Sequence, residues 1–218
     1  MAEREGVIKF GTRHETRPLD GARYDDDARA LDAWRSVLFT LGGIGQSTAR
    51  YGGIGYGNAS VRVRPSTGPR GARPFLITAS QTGAHARVTL RELVLVSRWS
   101  MERFTLESAG EALPSSEALT HAAIYDAAPA VRAVLHVHMA EIASRARVLR
   151  LPMTTEHAAY GTREMADEVH RLFRETPVDV TRVFAMSGHE DGVVAIGRTL
   201  DEAGEALVRV LVRARTHD

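Results

Sequence analysis

Ala133-Val134-Leu135-His136-Val137-His138 is the stretch from which the fold is read. Three apolar residues lead into two histidines with one valine between them, the pattern of a short buried strand. Side chains alternate across a strand, so His136 and His138 project from the same face, two pleats apart. Two imidazoles placed this way can grip one metal ion. A half-buried strand with two hydrogen-bonded histidines would read the same, so the surrounding chain has to decide.

Downstream, Val183-Phe184-Ala185-Met186 is a strand that ends at Ser187-Gly188-His189, and Gly192–Gly197 is the next strand after a tight acidic turn. Upstream, Pro114-Ser115-Ser116-Glu117 opens a helix with serine as its N-cap. Ala118, His121, Ala122 and Tyr125 continue it until Ala128-Pro129. If the histidine-bearing strands are neighbours, His136, His138 and His189 converge on one sheet edge. Three protein ligands with an open fourth position is the catalytic arrangement for zinc and related divalent ions. Glu117 adds a carboxylate, as a fourth ligand or as a proton shuttle. His121 belongs to the core or to groups behind the ligands.

Further out the chain alternates between strands and helices. Residues 1–24 are a polar N-terminal extension in which Val7–Phe10 forms a short edge strand, and the domain runs from 25 to 218. A helix is expected over 26–41, with Leu31, Trp34, Leu38 and Leu41 on one face. Tyr51–Gly57 is a glycine-rich loop without room for bulky side chains. It leads into a strand from Asn58, and glycines before a strand let backbone N–H groups approach an anion. Strands follow at 75–78, 93–96 and 103–106, helices at 139–148 and 163–175, the latter capped by Thr162, and a last helix from Thr199 to Arg215. This is one α/β domain, a central and mostly antiparallel sheet flanked by helices.

Composition narrows the chemistry. The 218 residues carry a net charge of +1, with 44% hydrophobic and 25% charged residues, so no basic field calls for nucleic acid. No apolar run is long enough to span a membrane and no signal segment is evident, so the expected location is cytoplasmic. Cysteine is absent, which leaves His, Asp and Glu as metal ligands. Lys9 is the one lysine, and the N-terminal extension is a poor place for a catalytic amine. Arg70 and Arg73 flank a polar loop that could reach an anionic substrate, although a loop arginine is more often simply solvated.

The run Leu113–His138, with Pro114-Ser115-Ser116-Glu117, His121, Tyr125, Pro129 and the H-x-H, resembles the class II aldolase/adducin family, which includes L-fuculose-phosphate aldolase and L-ribulose-5-phosphate 4-epimerase. Gly57-Asn58-Ala59-Ser60-Val61-Arg62, the loop from Leu76-Ile77-Thr78 to Thr82-Gly83, Tyr160-Gly161-Thr162-Arg163-Glu164 and the stretch from His189 to the last helix agree with it. The resemblance covers roughly residues 28 to 213. It implies a three-layer fold and a homotetramer with active sites at subunit interfaces. It implies a metal, usually Zn²⁺, held by His136, His138 and His189; an all-histidine site also accepts Mn²⁺, Co²⁺ or Fe²⁺. It makes Glu117 the acid/base residue, able to ligate the metal when substrate is absent. It places a phosphate pocket at Gly57, Asn58, Thr82, Gly83, Ser115 and Ser116. Two departures stand out. The second loop reads Ile-Thr-Ala-Ser-Gln-Thr-Gly, longer than the family's form and without its proline, so a different anion such as a carboxylate, or no anion, stays open there. The segment between His138 and Tyr160 is short and lacks the family's proton-donating tyrosine, for which Tyr160 or His157 is a candidate.

The expected function is a divalent-metal-dependent lyase that cleaves a small hydroxy-carbonyl substrate, a sugar phosphate, by retro-aldol chemistry through a metal-stabilised enediolate. Epimerase, dehydratase and decarboxylase reactions on the same centre are alternatives. A non-catalytic adducin-like scaffold is a further one, although a scaffold needs neither metal ligands nor an acid/base residue.

Overall fold

The strand read at Ala133–His138 forms over those six residues and is buried at every position. A computed structural model describes residues 6–65 and 67–216, so residues 1–5 of the extension and His217 lie outside it. In chain order the elements are β1 (Gly11–Thr16), α1 (Gly21–Thr40), β2 (Gly45–Gln46), β3 (Gly55–Tyr56), β4 (Asn58–Arg62), β5 (Phe75–Thr78), β6 (Leu93–Ser100), β7 (Thr105–Gly110), α2 (Ala118–Ala127), β8 (Ala133–His138), α3 (Ala140–Ala143), α4 (Arg163–Glu175), α5 (Val178–Thr181), β9 (Val183–Ala185), β10 (Gly192–Gly197) and α6 (Leu200–Thr216).

Eight strands form one sheet in the order β1-β7-β6-β5-β4-β8-β10-β9, and β2 pairs with β3 separately. Neighbours in the large sheet are antiparallel except β1 and β7, which run parallel. The alternation of β8 sorts the two faces. Ala133, Leu135 and Val137 pack with Leu31 and Leu38 of α1 and Leu207 and Leu211 of α6. Val134 packs with Leu119, Ala122 and Ile124 of α2 and with Met165, Val169 and Leu172 of α4. His136 and His138 continue the Val134 row and so point to the α2 side. Helices cover both faces, which makes three layers.

Local signals account for the helices that frame the site. Thr162 Oγ1 accepts the Met165 N–H at 3.3 Å and starts α4. Asp201 and Glu202 lie in the first turn of α6 and Arg213 and Arg215 in its last, which suits the helix dipole.

Several boundaries differ from the sequence pattern. α1 begins at Gly21, not 26, because Tyr24 and Ala28 extend the buried stripe of Leu31 and Leu38. The edge strand is Gly11–Thr16, not Val7–Phe10: Phe10 is drawn into the core and Ile8 packs on it, leaving the next residues to pair with β7. β7 starts at Thr105 because Phe104 turns the chain with φ 55°. Only Ala140–Ala143 of the helix expected over 139–148 forms. Beyond Ser144 the bonds are chiefly those of turns, such as Arg145 N–H to Ile142 and Arg150 N–H to Arg147. Among the described residues no helix is long and apolar enough to cross a membrane.

Candidate metal centre and anion pocket

Strand register assembles the centre. β8 lies between β4 and β10, with Asn58 opposite His136 on one side and Gly192 opposite His138 on the other. His189 sits in the turn between β9 and β10, four residues past the end of β9. Its N–H bonds the Met186 carbonyl and its carbonyl accepts the Gly192 N–H, each at 3.0 Å. A Cβ on Gly192 would stand 2.8 Å from His189 Cδ2, so a bare residue there leaves room for the ring.

One ring nitrogen from each of His136, His138 and His189 lies within 4.8 Å of the others, and all three residues are buried. Ring centroids are 4.6–5.2 Å apart. Nε2 of His136 and both ring nitrogens of His138 are buried without a hydrogen-bond partner. Buried imidazole nitrogens left unpaired are costly. A divalent ion satisfies such a donor set, so the residues present fit a metal. Burial, and then the charges of His136 and His189, lower the pKa of His138. Burial brings His189 down to about 4 against the pull of Glu117, with His136 and Lys9 adding to the effect. Neutral imidazole is the form that ligates metal.

Glu117 occupies the residue just before α2, and its side chain does not cap the helix. Oε2 lies 2.5 Å from His136 Nδ1 and accepts from Asn58 Nδ2 at 2.7 Å, while Oε1 is 4.0 Å from His189 Nε2. Burial alone would raise this carboxyl. His136, His189 and the Asn58 hydrogen bond outweigh it and hold Glu117 below the usual carboxylate range. The serine expected as N-cap acts one step earlier: Ser115 Oγ accepts the Glu117 N–H at 3.3 Å. Beneath Glu117, Ser60 Oγ joins His121 Nδ1 and Tyr125 Oη, each at 2.7 Å. His121 is therefore tied into the core, and burial lowers it to about 3.

Gly57, Asn58, Thr82, Gly83, Ser115 and Ser116 line one cavity together with Ser80, Glu117 and His138. Gly57 has φ +74°, and a Cβ there would lie 2.9 Å from the Gly43 carbonyl oxygen, so only glycine fits this approach to β8. The longer second loop turns at Gln81, φ 63°. Thr82 Oγ1 donates to the Ala79 carbonyl at 3.0 Å. Behind the loop Arg35 donates to the carbonyls of Thr82, at 2.5 Å, and His85. Arg35 is 1% exposed. No local pattern marks it, because Arg35 occupies a slot in the buried stripe of α1 where an apolar residue is the norm.

Other neighbours of the centre were also unforeseen. The glycine-rich segment seats two tyrosine rings against His138, Tyr51 at 4.5 Å and Tyr56 at 5.3 Å between centroids. Its glycines make room for rings; the segment is not bare. Tyr51 Oη donates to Asp191 Oδ2 at 2.7 Å, and Arg50 reaches the same oxygen at 3.1 Å. The Tyr160 ring stands 5.1 Å from His189. Lys9, in the N-terminal extension, has its Nζ 3.8 Å above the Tyr160 ring and 3.0 Å from the Tyr160 carbonyl. His157 is exposed in a turn. Arg73, expected to be solvated, is buried and donates to the carbonyls of Gly68 and Tyr125, while Arg70 borders a groove beside β1 and β7.

The chain belongs to the class II aldolase family: residues 47–217 match the family described as Class II Aldolase and Adducin N-terminal domain. No curated protein matches it. L-fuculose-1-phosphate aldolase from Thermus thermophilus superposes with a TM-score of 0.60 at 22% identity, over 87% of this chain and 91% of that one. A sugar-phosphate aldolase from Thermotoga maritima gives 0.62 at 17% identity, over 88% and 93%. YgbL from Klebsiella pneumoniae, provisionally described as an aldolase/epimerase/decarboxylase, gives 0.61 at 19% identity, over 88% and 89%. These likenesses share the fold.

Proposed function

We propose that this chain is a divalent-metal-dependent lyase that cleaves a C–C bond of a small hydroxy-carbonyl substrate, a phosphorylated sugar, by the retro-aldol route. The observation that carries this is the buried triad of His136, His138 and His189 with the Glu117 carboxylate beside it. The three histidines would hold Zn²⁺, or Mn²⁺, Co²⁺ or Fe²⁺, since a nitrogen-donor site accepts each of them. Bound there, the ion supplies Lewis acidity toward the substrate's carbonyl and hydroxyl oxygens, and no lysine Schiff base is required.

The protein's own groups do the rest. Retro-aldol cleavage takes a proton from the hydroxyl on one side of the breaking bond and returns one to carbon on the other. Glu117, ionised and oriented by Asn58, is placed to carry that proton. Gly57, Gly83, Thr82, Ser115 and Ser116 line the cavity that would take the anion, and the N-terminus of α2 favours negative charge at that end. Burial of the centre keeps water from the carbanionic carbon. Tyr160 stands near His189 as a candidate proton donor. The active assembly is a cytoplasmic homotetramer with sites at subunit interfaces.

Metal content of the purified chain, beside a variant with His136 and His138 changed to alanine, tests the centre. About one divalent ion per chain, lost in the variant, is expected on a single-site reading. In a panel of sugar phosphates, Glu117→Gln should fold normally and lose about 10²–10⁴-fold in turnover. Wild-type protein that stays folded and takes up no offered metal would refute the proposal. Products of epimerisation or decarboxylation from the same panel would keep the centre and change the reaction.

A further inference from the structure

Positive charge gathers a second time at the far end of the sheet. Leu93, at the start of β6, pairs with Thr78, whose hydroxyl accepts the Ala59 N–H next to Asn58. Trp99 and Ser100, at the other end of β6 and about 20 Å along the strand, line a groove of about 670 Å³. Arg13, Arg70, Arg98 and Arg103 line it too, with one carboxylate, Glu107. Each arginine sits on backbone that is held in place. Arg13 of β1, Glu107 of β7 and Arg98 of β6 lie in register on three neighbouring strands. Arg70 belongs to a turn whose next residue, Gly71, has φ +76°. The Gly71 N–H donates to Asp126 Oδ1 at 3.0 Å, and its carbonyl accepts the Trp99 N–H at 2.9 Å. Arg103 belongs to the turn between β6 and β7, where its N–H donates to Ser100 Oγ at 3.2 Å and Arg163 donates to the Met101 carbonyl at 2.6 Å.

Arginines elsewhere on the surface pair with carboxylates, as Arg29 does with Asp26, Arg91 with Glu111 and Arg215 with Glu141. The four guanidiniums of the groove make neither an ion pair nor a hydrogen bond among the described residues, and Glu107, flanked by two of them, pairs with neither. Four arginines against one carboxylate leave a net charge of +3 in one concavity. A phosphate monoester carries about −1.5 to −2 at neutral pH, so one leaves much of that charge unmatched and two phosphoryl groups match it. The guanidinium fork meets phosphate oxygens with two parallel N–H groups. A groove of this volume suits a small molecule. Acidic residues of a peptide bring one charge each, spread along a chain, and fill the same concavity with less charge. We propose that the groove is a second anion site, which binds a small molecule carrying a diphosphate or two phosphate monoesters. It shares no lining residue with the anion cavity beside the metal centre and does not depend on the lyase reading.

Inorganic pyrophosphate is the probe. Its binding to the full-length chain is measured by calorimetry, with metal bound and after metal removal, beside orthophosphate and a hexaglutamate peptide. Arg70→Gln and Arg98→Gln each remove one fork; those side chains make no bond among the described residues, so thermal unfolding should stay as in the wild type. The metal-free wild type should bind pyrophosphate at least about tenfold more tightly than orthophosphate. Each Gln variant should lose about tenfold to a hundredfold in pyrophosphate affinity. Arg98→Lys keeps the charge without the fork and should recover part of the loss. Arg209→Gln, exposed on α6 and outside the groove, removes the same charge and should bind pyrophosphate as the wild type does. Wild-type protein that binds no pyrophosphate would overturn the proposal. So would binding that ignores Arg70 and Arg98 and vanishes with the metal, which places the probe at the metal centre. An equal loss in Arg209→Gln would reduce the effect to the general field of the protein and overturn it as well. Hexaglutamate binding as tightly as pyrophosphate would refute the phosphoryl ligand in favour of an acidic segment.

Discussion

Arg35→Met removes a buried cation behind the anion loop. Arg35 is 1% exposed, and its guanidinium donates to the carbonyls of Thr82 and His85. A hydrogen bond to a charged group contributes about 1.5–3 kcal/mol, so the two together are worth about 3–6 kcal/mol. Burial lowers the Arg35 pKa, with Asp32 and Glu92 opposing the change, so the guanidinium is not at ease in its slot. Its removal returns part of that desolvation and leaves a net loss of about 2–4 kcal/mol. For a chain of this size that is a fall of about 10 °C in Tm. Urea unfolding gives the stability, provided the slope m is unchanged. Titration with inorganic phosphate gives the effect on the pocket, expected to be about tenfold weaker because the loop loses the fork that fixes it. Arg35→Lys keeps the charge without the fork and should recover less than half of either effect. A variant within about 0.5 kcal/mol of wild type, binding phosphate as before, would show that the loop holds itself and that the reasoning is wrong.

Three further outcomes are expected. His121 is held near 3, below its ordinary 6.5, so the unfolded chain takes up the proton first. Stability from the neutral ring is complete above about pH 6.5 and falls toward pH 3 by about 1.4 kcal/mol per unit, so urea midpoints of His121→Gln should decline less steeply in acid; equal slopes would place the acid sensitivity elsewhere. Gly192→Ala drives a methyl group toward His189 Cδ2 and should lower bound metal well below one ion per chain while the chain stays folded, read by elemental analysis and circular dichroism. Full metal content would mean that the turn yields freely. Tyr51→Phe keeps the ring on His138 but leaves Asp191 without the phenol, and should cost about 1 kcal/mol in urea unfolding with metal content unchanged.

What the sequence disclosed followed from how local each signal is. β10 forms over Gly192–Gly197 and α4 over 163–175, as the patterns predict, because an apolar run between turns and a capped amphipathic stripe are written in neighbouring residues. The β8 alternation placed two histidines on one face for the same reason. What stayed hidden depends on pairing between distant segments. No local cue says that β1 runs parallel to β7, or that Phe10 leaves the strand for the core. His189 could be grouped with the others by residue type, but its approach to them follows from β10 pairing with β8. Tyr51, Arg35 and Lys9 escaped because a glycine-rich loop, a helix stripe and a terminal segment each carry an ordinary local explanation.

The position of β8 between β4 and β10 has a consequence for the whole design. The spacing of the two imidazoles is measured out by the backbone: two strand residues advance about 6.6 Å, and hydrogen bonds on both sides forbid the strand from sliding. The sheet is thus a ruler, and the ligand positions are its graduations. Loops at its rim, such as the glycine-rich segment and the turn at Gln81, can lengthen or change residues without moving those marks. One frame can then serve different small molecules, with the choice of substrate written at the rim and the reactive centre kept in the pleat.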